Sequence, residues 1–382
     1  MTVNTLNTLQ LVSVRWWNAN AYYAISLTEA LNQVGYYSIA GGRENSPPIR
    51  KAKQFNLPVF ADIDLETFNP ISGIKNVLRL KRFIQQNSIR LVNAHRAEDV
   101  FFGVLTKKLS PTPIPVIRSV GDVRPPKNHC LNRWIHERGT DYFIFSCRAN
   151  YDRYQSVWPI FENKSEIIYS AIDTEFFQPR QQPSPLRKEL SISDEEVVIG
   201  IIARLSPVKD HHRFLRAAAQ VASQAPQARF LISGEEAQLS HVDLKEFARE
   251  LGIYEKVIFM HRDDGLDIRD LIDCLDIGIV SSSGSEVICR VSVEFMAMGK
   301  PQVTTDINVL PEITEEGING FVVPAKDPEA MAKRILELVN NPELRREMGK
   351  RARQVAETKY SFPVFAEKTL EVYRRVLDRH GV

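Results

Sequence analysis

Four side chains in the second half of the chain, Arg204, Lys209, Glu286 and Glu294, have types and spacing that could do chemistry. In GIIARLSPVKDHHRFLRAAAQ (200–220) an apolar run ends at Ala203, and the next loop carries Arg204 and Lys209. Asp210 is placed to cap the helix that follows. Two cations above a helix N-terminus make an anion site: arginine supplies a planar fork, lysine a point charge, and the helix end free N–H groups. Two solvated surface cations are the competing reading. In SSSGSEVICRVSVEFMAMGKP (281–301) two glutamates stand eight positions apart. The pattern predicts a helix from about Val287 to Met298, with Gly299 just past its end and Pro301 blocking continuation. Glu286 then sits at or just before the helix N-terminus, able to accept backbone N–H groups or to bind polar groups of a ligand. Glu294 lies two turns further on, among Val, Phe, Met and Ala, and needs either a solvent-facing stripe or a partner. A diol such as a ribose would satisfy both of its oxygens.

These residues need strands and helices to hold them. In the first half LQLVSV, YYSIA, LPVF, IRLVNA, IPVIRS, DYFIFS and SEIIYS read as strands. Between most of them lie helical stretches such as AYYAISLTEALNQVG, ISGIKNVLRLKRFIQQN and DVFFGVLTKKLS. Apolar runs without polar alternation suit parallel strands covered on both faces. PRQQPSPLRKELSISDEE then reads as a linker over about 178–195, after which EVVIGIIAR, ARFLISG, KVIFMH, DIGIVSS, KPQVTTD and GFVVP restart the pattern. The expectation is α/β with two Rossmann-like domains, 1–177 and 196–361, and a terminal amphipathic helix over 362–382. Ligand sites in such folds lie at strand C-termini and in the cleft between domains.

Bulk composition narrows the function classes. At 382 residues, 43% hydrophobic and 25% charged, the chain is long enough for two domains. No apolar stretch approaches the roughly 20 residues that span a bilayer, and no positive region precedes the first apolar run. Cys130, Cys147, Cys274 and Cys289 are scattered, without a CxxC pair, and read as free thiols of a reducing cytoplasm. Up to Glu175 there are 21 Lys and Arg against 15 Asp and Glu, a net charge of +6, while the remainder is −4. The excess is too scattered for nucleic acid and suits an anionic acceptor or the face of an anionic membrane. The helix ISGIKNVLRLKRFIQQN is basic and amphipathic, fit either for a membrane surface or for an ordinary crossover. Trp16 and Trp17 could stack on an acceptor sugar or pack in the core.

Taken together, Arg204 and Lys209 after a second-domain strand, E-x7-E at a strand–helix junction, and GKP downstream resemble the retaining GT-B glycosyltransferases of family 4. FLISGEE, CLDIGIVSSSGSE, EFMAMGKPQVTTD and LPEITEEGINGFVVPAKDPEAMAKRILEL are similar to that family's segments. So, in the first half, are LVNAHRAEDVFFG, PVIRSVGD, FIFSCRANYD and IIYSAIDTEFF. The resemblance implies the GT-B architecture: two facing Rossmann-like domains clamp a nucleotide-sugar in an interdomain cleft, the C-terminal helix packs back on the N-terminal domain, and that domain takes the acceptor. It implies that Arg204 and Lys209 hold the diphosphate, Glu294 the ribose hydroxyls and Glu286 the donor-sugar hydroxyls. Ser285, Val287, Ile288, Cys289, Arg290 and Arg262 are then nucleotide-sugar-binding, and Asp122, Arg124, His95 and Asn18 face acceptor or donor sugar.

The activity so implied is retaining, metal-independent transfer of a hexose-like sugar to a saccharide or lipid-linked acceptor, in surface polysaccharide or lipopolysaccharide synthesis. It needs no cofactor and would proceed in the cytoplasm or at the inner face of the membrane, through contact by the basic N-terminal domain. The alternatives are a transferase acting on a small soluble sugar acceptor and a non-catalytic nucleotide-sugar-binding relative. Three departures bear on this choice. RWWNANAYY stands where the family carries paired glycines, Gly121 stands where many members have histidine, and VICRVSV replaces a glycine-bearing stretch. Arg290 could add a third cation near the phosphates, or face solvent. No G-x-G-x-x-G follows a strand, which argues against a dinucleotide oxidoreductase. The Asp62/Asp64 pair reads as a polar loop, and HRDD (261–264) lacks the asparagine of a kinase loop, Ile268 standing in its place.

Overall fold

A computed structural model of the chain describes residues 6–66, 69–111, 114–158, 162–180, 184–261 and 266–381. It divides into two compact units, Met1–Ala171 with Ser361–Val382, and Ile172–Tyr360. Each of the thirteen apolar runs overlaps one strand. In the first unit these are β1 (Asn7–Leu11), β2 (Ser38–Gly41), β3 (Val59–Phe60), β4 (Ile89–Ala94), β5 (Val116–Val120), β6 (Tyr142–Phe145) and β7 (Ser165–Ile167). In the second they are β8 (Val197–Ile202), β9 (Ala228–Gly234), β10 (Val257–His261), β11 (Ile277–Val280), β12 (Gln302–Thr305) and β13 (Gly320–Val323).

Both sheets are parallel throughout, with orders β3-β2-β1-β4-β5-β6-β7 and β10-β9-β8-β11-β12-β13. In each, the order reverses beside the unit's first strand. That switch point, between β1 and β4 or between β8 and β11, is where loops diverge and leave a crevice at the strand C-termini. Helices cover the sheets because the strands are apolar on both faces. In the second unit Phe214, from helix His211–Gln224, meets Phe230 of β9 edge to face at 6.1 Å.

The C-terminal helix, Phe362–His380, belongs to the first unit. Its buried Tyr373 is why: the hydroxyl accepts from Asn93 Nδ2 at 3.0 Å and from Gln10 Nε2 at 3.2 Å. A buried amide pair without that hydroxyl would be left short of an acceptor. Residues expected to form a linker behave otherwise. Pro185–Glu189 is a short helix of the second unit, held by Ser184 Oγ donating to Asp270 O at 3.0 Å. Arg187 adds bonds to Cys274 O and Asp276 Oδ2, each 3.1 Å.

Candidate active site

The loops after β8 and β11 flank the switch point of the second sheet, and they carry Arg204, Lys209, Glu286 and, on the helix beyond, Glu294. After β8 the chain turns through a single 3-10 turn, Pro207–Lys209. Asp210 then adopts left-handed backbone (φ 52°) and caps helix His211–Gln224, accepting from Arg213 N at 3.3 Å. Ser281 Oγ donates to Lys209 O at 2.8 Å, and Ser283 N donates to Val208 O at 2.9 Å, so the two loops are tied together by backbone. Gly278 in β11 lets the next helix lie close, since a Cβ there would meet Phe295 Cδ2 at 2.3 Å.

The helix itself begins at Arg290, not at Val287, and runs to Ala297. Val287–Cys289 belong to the preceding loop, which Ser285 bends through φ 60°. Glu286 is therefore four residues ahead of the helix and does not sit at its N-terminus. It is 3% exposed, ion-paired to Lys209 Nζ, and accepts from Ser282 Oγ at 2.5 Å. Burial pulls the Lys209 ammonium down, and the Glu286 carboxylate beside it reverses that and raises it. Burial also pushes the Cys289 thiol up, and Glu286 adds to the effect, so the thiol stays protonated next to that carboxylate. Val287 is buried, Ile288 half-buried, and Ser285 exposed.

Arg290 occupies the first turn, as expected, but its Nε lies 2.9 Å from Glu294 Oε1. It thus answers a carboxylate one turn along rather than standing as a free third cation. Glu294 is 2% exposed, and its second oxygen, Oε2, has no hydrogen-bond partner among the described residues. A buried charged acceptor left open is costly and marks a place where a ligand hydroxyl or a water belongs. Arg204 is exposed and makes no side-chain bond or ion pair among the described residues. Arg262 lies outside the described residues.

The first unit's candidates sit on the corresponding edge of their own sheet. Asn18, after β1, is used as a helix cap, its Oδ1 accepting from Ala21 N at 3.0 Å. His95, after β4, is 3% exposed and pairs with Gln10 Oε1 at 3.2 Å in the network under Tyr373. Burial lowers its pKa to about 3 and keeps the ring neutral. His95 is thus part of the core polar network and offers no free face for a sugar. Asp122, after β5, is half-buried and paired with Arg124 (2.9 Å), which is exposed. Burial pushes the Asp122 carboxyl up, but the Arg124 hydrogen bonds outweigh it and leave the pKa lowered. Trp16 is 65% exposed, whereas Trp17 packs edge-on to Tyr22 at 6.3 Å.

Two doubly wound parallel sheets, with Arg204, Lys209 and two buried carboxylates at the second switch point, define a Rossmann-like α/β protein. Residues 184–355 match the family model of glycosyl transferases group 1. A stretch of the chain is 29% identical over 232 residues to "Spore coat protein SA" of Bacillus subtilis, covering 58% of this chain and 61% of that protein. The chain spans about three fifths of the length of the curated relatives it matches. A glycosyltransferase from Rickettsia africae superposes with TM-score 0.85 at 19% identity, over 98% of this chain and 99% of that one. Anabaena Alr3699/HepE, solved in complex with UDP, gives TM-score 0.83 at 19% identity, over 97% and 100%. The architecture is thus that of the GT-B glycosyltransferases, two Rossmann-like domains.

Proposed function

We propose that the protein is a retaining glycosyltransferase that moves a sugar from a nucleoside-diphosphate sugar to a saccharide or lipid-linked acceptor. The observation that carries the reading is the second switch point. It carries two cations, Arg204 and Lys209, and, on Glu294, a buried carboxylate oxygen with no partner among the described residues. A ribose hydroxyl donating to Glu294 Oε2 would satisfy that oxygen, and Arg290 would keep the other one occupied. The group 1 family match and the UDP held by the Anabaena protein support a nucleotide-sugar donor.

In the reaction, the bond between the anomeric carbon and the β-phosphate oxygen breaks as the acceptor oxygen bonds to that carbon. Negative charge builds on the departing diphosphate, where Arg204 and Lys209 stabilise it. A preorganised donor of this kind is worth about 3–4 kcal/mol. The acceptor proton passes to the leaving phosphate oxygen, so attack comes from the leaving-group side and configuration is retained. Side-chain cations do the neutralising, and neither metal nor cofactor enters the scheme. Glu286, held by Lys209 and Ser282, is placed for the hydroxyls of the donor sugar. Ser285, Val287, Ile288 and Cys289 line the same loop, while Asp122 and Arg124 serve acceptor or donor sugar from the first unit.

Thermal unfolding with UDP, GDP and ADP tests this. A ligand at about 100 times its Kd adds roughly 2.7 kcal/mol to stability, several degrees in Tm for a unit of this size. One diphosphate should raise Tm in the parent and lose most of the shift in Glu294→Ala. An equal shift in both proteins, or none with any nucleotide, would remove the assignment of Glu294.

The reading includes peripheral contact of the first unit with an anionic membrane, at a cytoplasmic face. No helix among the described residues is long and apolar enough to cross a membrane. Helix Pro70–Gln86 supports the contact, because it exposes Ile71 (66%), Ile74 (63%) and Leu78 (55%) beside Lys75, Arg79 and Arg82.

A further inference from the structure

Three side chains from separate elements of the second unit meet at the C-terminal edge of its sheet, beside β9 and β10. Glu236 lies two residues past β9, His241 is the first residue of helix His241–Glu250, and His261 is the last residue of β10. One ligand-capable atom from each lies within 4.8 Å of the others. The two imidazole rings are 4.0 Å apart, centre to centre, and inclined by 49°. Glu236 and His261 are exposed, while His241 is 1% exposed.

His241 carries the argument. Its Nε2 lies 3.1 Å from Gly234 O, an acceptor only, so Nε2 bears the proton and donates. The neutral ring then has a lone pair on Nδ1, and Nδ1 is buried with no partner among the described residues. A ring that donates one N–H to a backbone carbonyl, keeps a bare nitrogen and packs beside a second histidine and a carboxylate is arranged as metal-ligating histidines are. Glu236 is held at the same place, since its Oε1 accepts from His241 N at 2.7 Å. That carboxylate also counters the helix N-terminus, whose free N–H groups disfavour a cation.

We propose that Glu236, His241 and His261 bind a divalent transition-metal ion of the zinc class at this edge of the second sheet. Two imidazoles and one carboxylate are borderline ligands suited to zinc, and they leave a fourth position for water. The ion joins the end of β10 to the start of helix His241–Glu250, so its part is to fix the loop after β9. Its ligands are distinct from Arg204, Lys209, Glu286 and Glu294, although Glu236 bridges to Leu205 beside Arg204, and the site does not depend on the transferase reading.

The full chain, stripped with a chelator and dialysed, is titrated with Zn2+ against a chromophoric competitor and with Co2+ read by its visible absorption. One ion per chain should bind, and the cobalt form should show the intense band of low coordination. His261→Ala and Glu236→Gln, both at exposed positions, should each weaken binding at least tenfold while far-UV circular dichroism stays unchanged. His129→Ala, in the first unit, should bind as the parent does. Absence of stoichiometric binding, or equal affinity in the parent and in His261→Ala, overturns the site.

Discussion

Glu286 is buried as deeply as a core leucine, and its charge is answered by Lys209 and by the Ser282 hydroxyl. Removing one member of such a pair leaves the other charged and desolvated, which costs about 3–5 kcal/mol. Lys209→Ala should therefore destabilise the second unit by that order, as well as abolish turnover. Lys209→Met combined with Glu286→Gln removes both charges and should regain most of the stability. Sugar transfer by the double variant should stay at least about 100-fold below the parent, since no cation replaces the lysine at the leaving phosphate. Urea unfolding and a donor-consumption assay on the three proteins separate the two roles. Unchanged stability in Lys209→Ala would mean the pair contributes nothing, and restored turnover in the double variant would mean neither residue serves the chemistry.

Helix Pro70–Gln86 has two apolar stripes, and only one is used by the fold. Val77, Leu80 and Ile84 are buried, while Ile71, Ile74 and Leu78 recur at helical spacing on the outside. With Phe101, Leu105 and Leu109 of the neighbouring helix, Ile74 and Leu78 line an apolar groove of about 330 Å³. Lysines and arginines near an anionic bilayer are worth about 1 kcal/mol each. Changing Ile71, Ile74 and Leu78 together to serine should cut sedimentation with anionic vesicles at least about tenfold, at unchanged stability. Binding that survives the triple change, or that ignores lipid charge, would reject this face. At this scale the sequence was most legible, since thirteen apolar runs became thirteen strands. Boundaries were less so. Cys289 makes no side-chain cap, so nothing in VICRVSV marks where the helix begins. The helix at 185–189 is held by Arg187 and Ser184 reaching across to loops, which no local period records. The same holds for His241 and His261, twenty positions apart on different elements: their meeting depends on β9 and β10 being neighbours. The unpartnered Oε2 of Glu294 required coordinates, although its apolar surroundings had already marked the residue.

Across the molecule, stability at acid pH turns on which buried groups stay neutral in the fold. Burial lowers His95 and His136 to about 3 in the first unit and His211 to about 4 in the second, with the Arg118 guanidinium adding to the shift at His136. In the unfolded chain these rings protonate near pH 6.5, so below that value the unfolded state holds more protons and stability falls with pH. Asp99 works in the opposite sense: burial raises it to about 6, so between about 6 and 3.8 the fold holds a proton that the unfolded chain lacks. Between about pH 6 and pH 4 the first unit then loses two protons' worth and regains one, a net slope of roughly 1.4 kcal/mol per pH unit. Replacing Asp99 with asparagine removes the compensating group and should roughly double that slope, while His95→Gln should flatten it. Trp16, Trp17, Trp134 and Trp158 all lie in the first unit, so tryptophan fluorescence during urea unfolding reports on it alone. Measured at about pH 6 and about pH 5, Asp99→Asn should show the larger loss on acidification. Equal losses in the parent and in Asp99→Asn would mean that Asp99 remains ionised in the fold, and would require a water or a cation beside its unpartnered Oδ1.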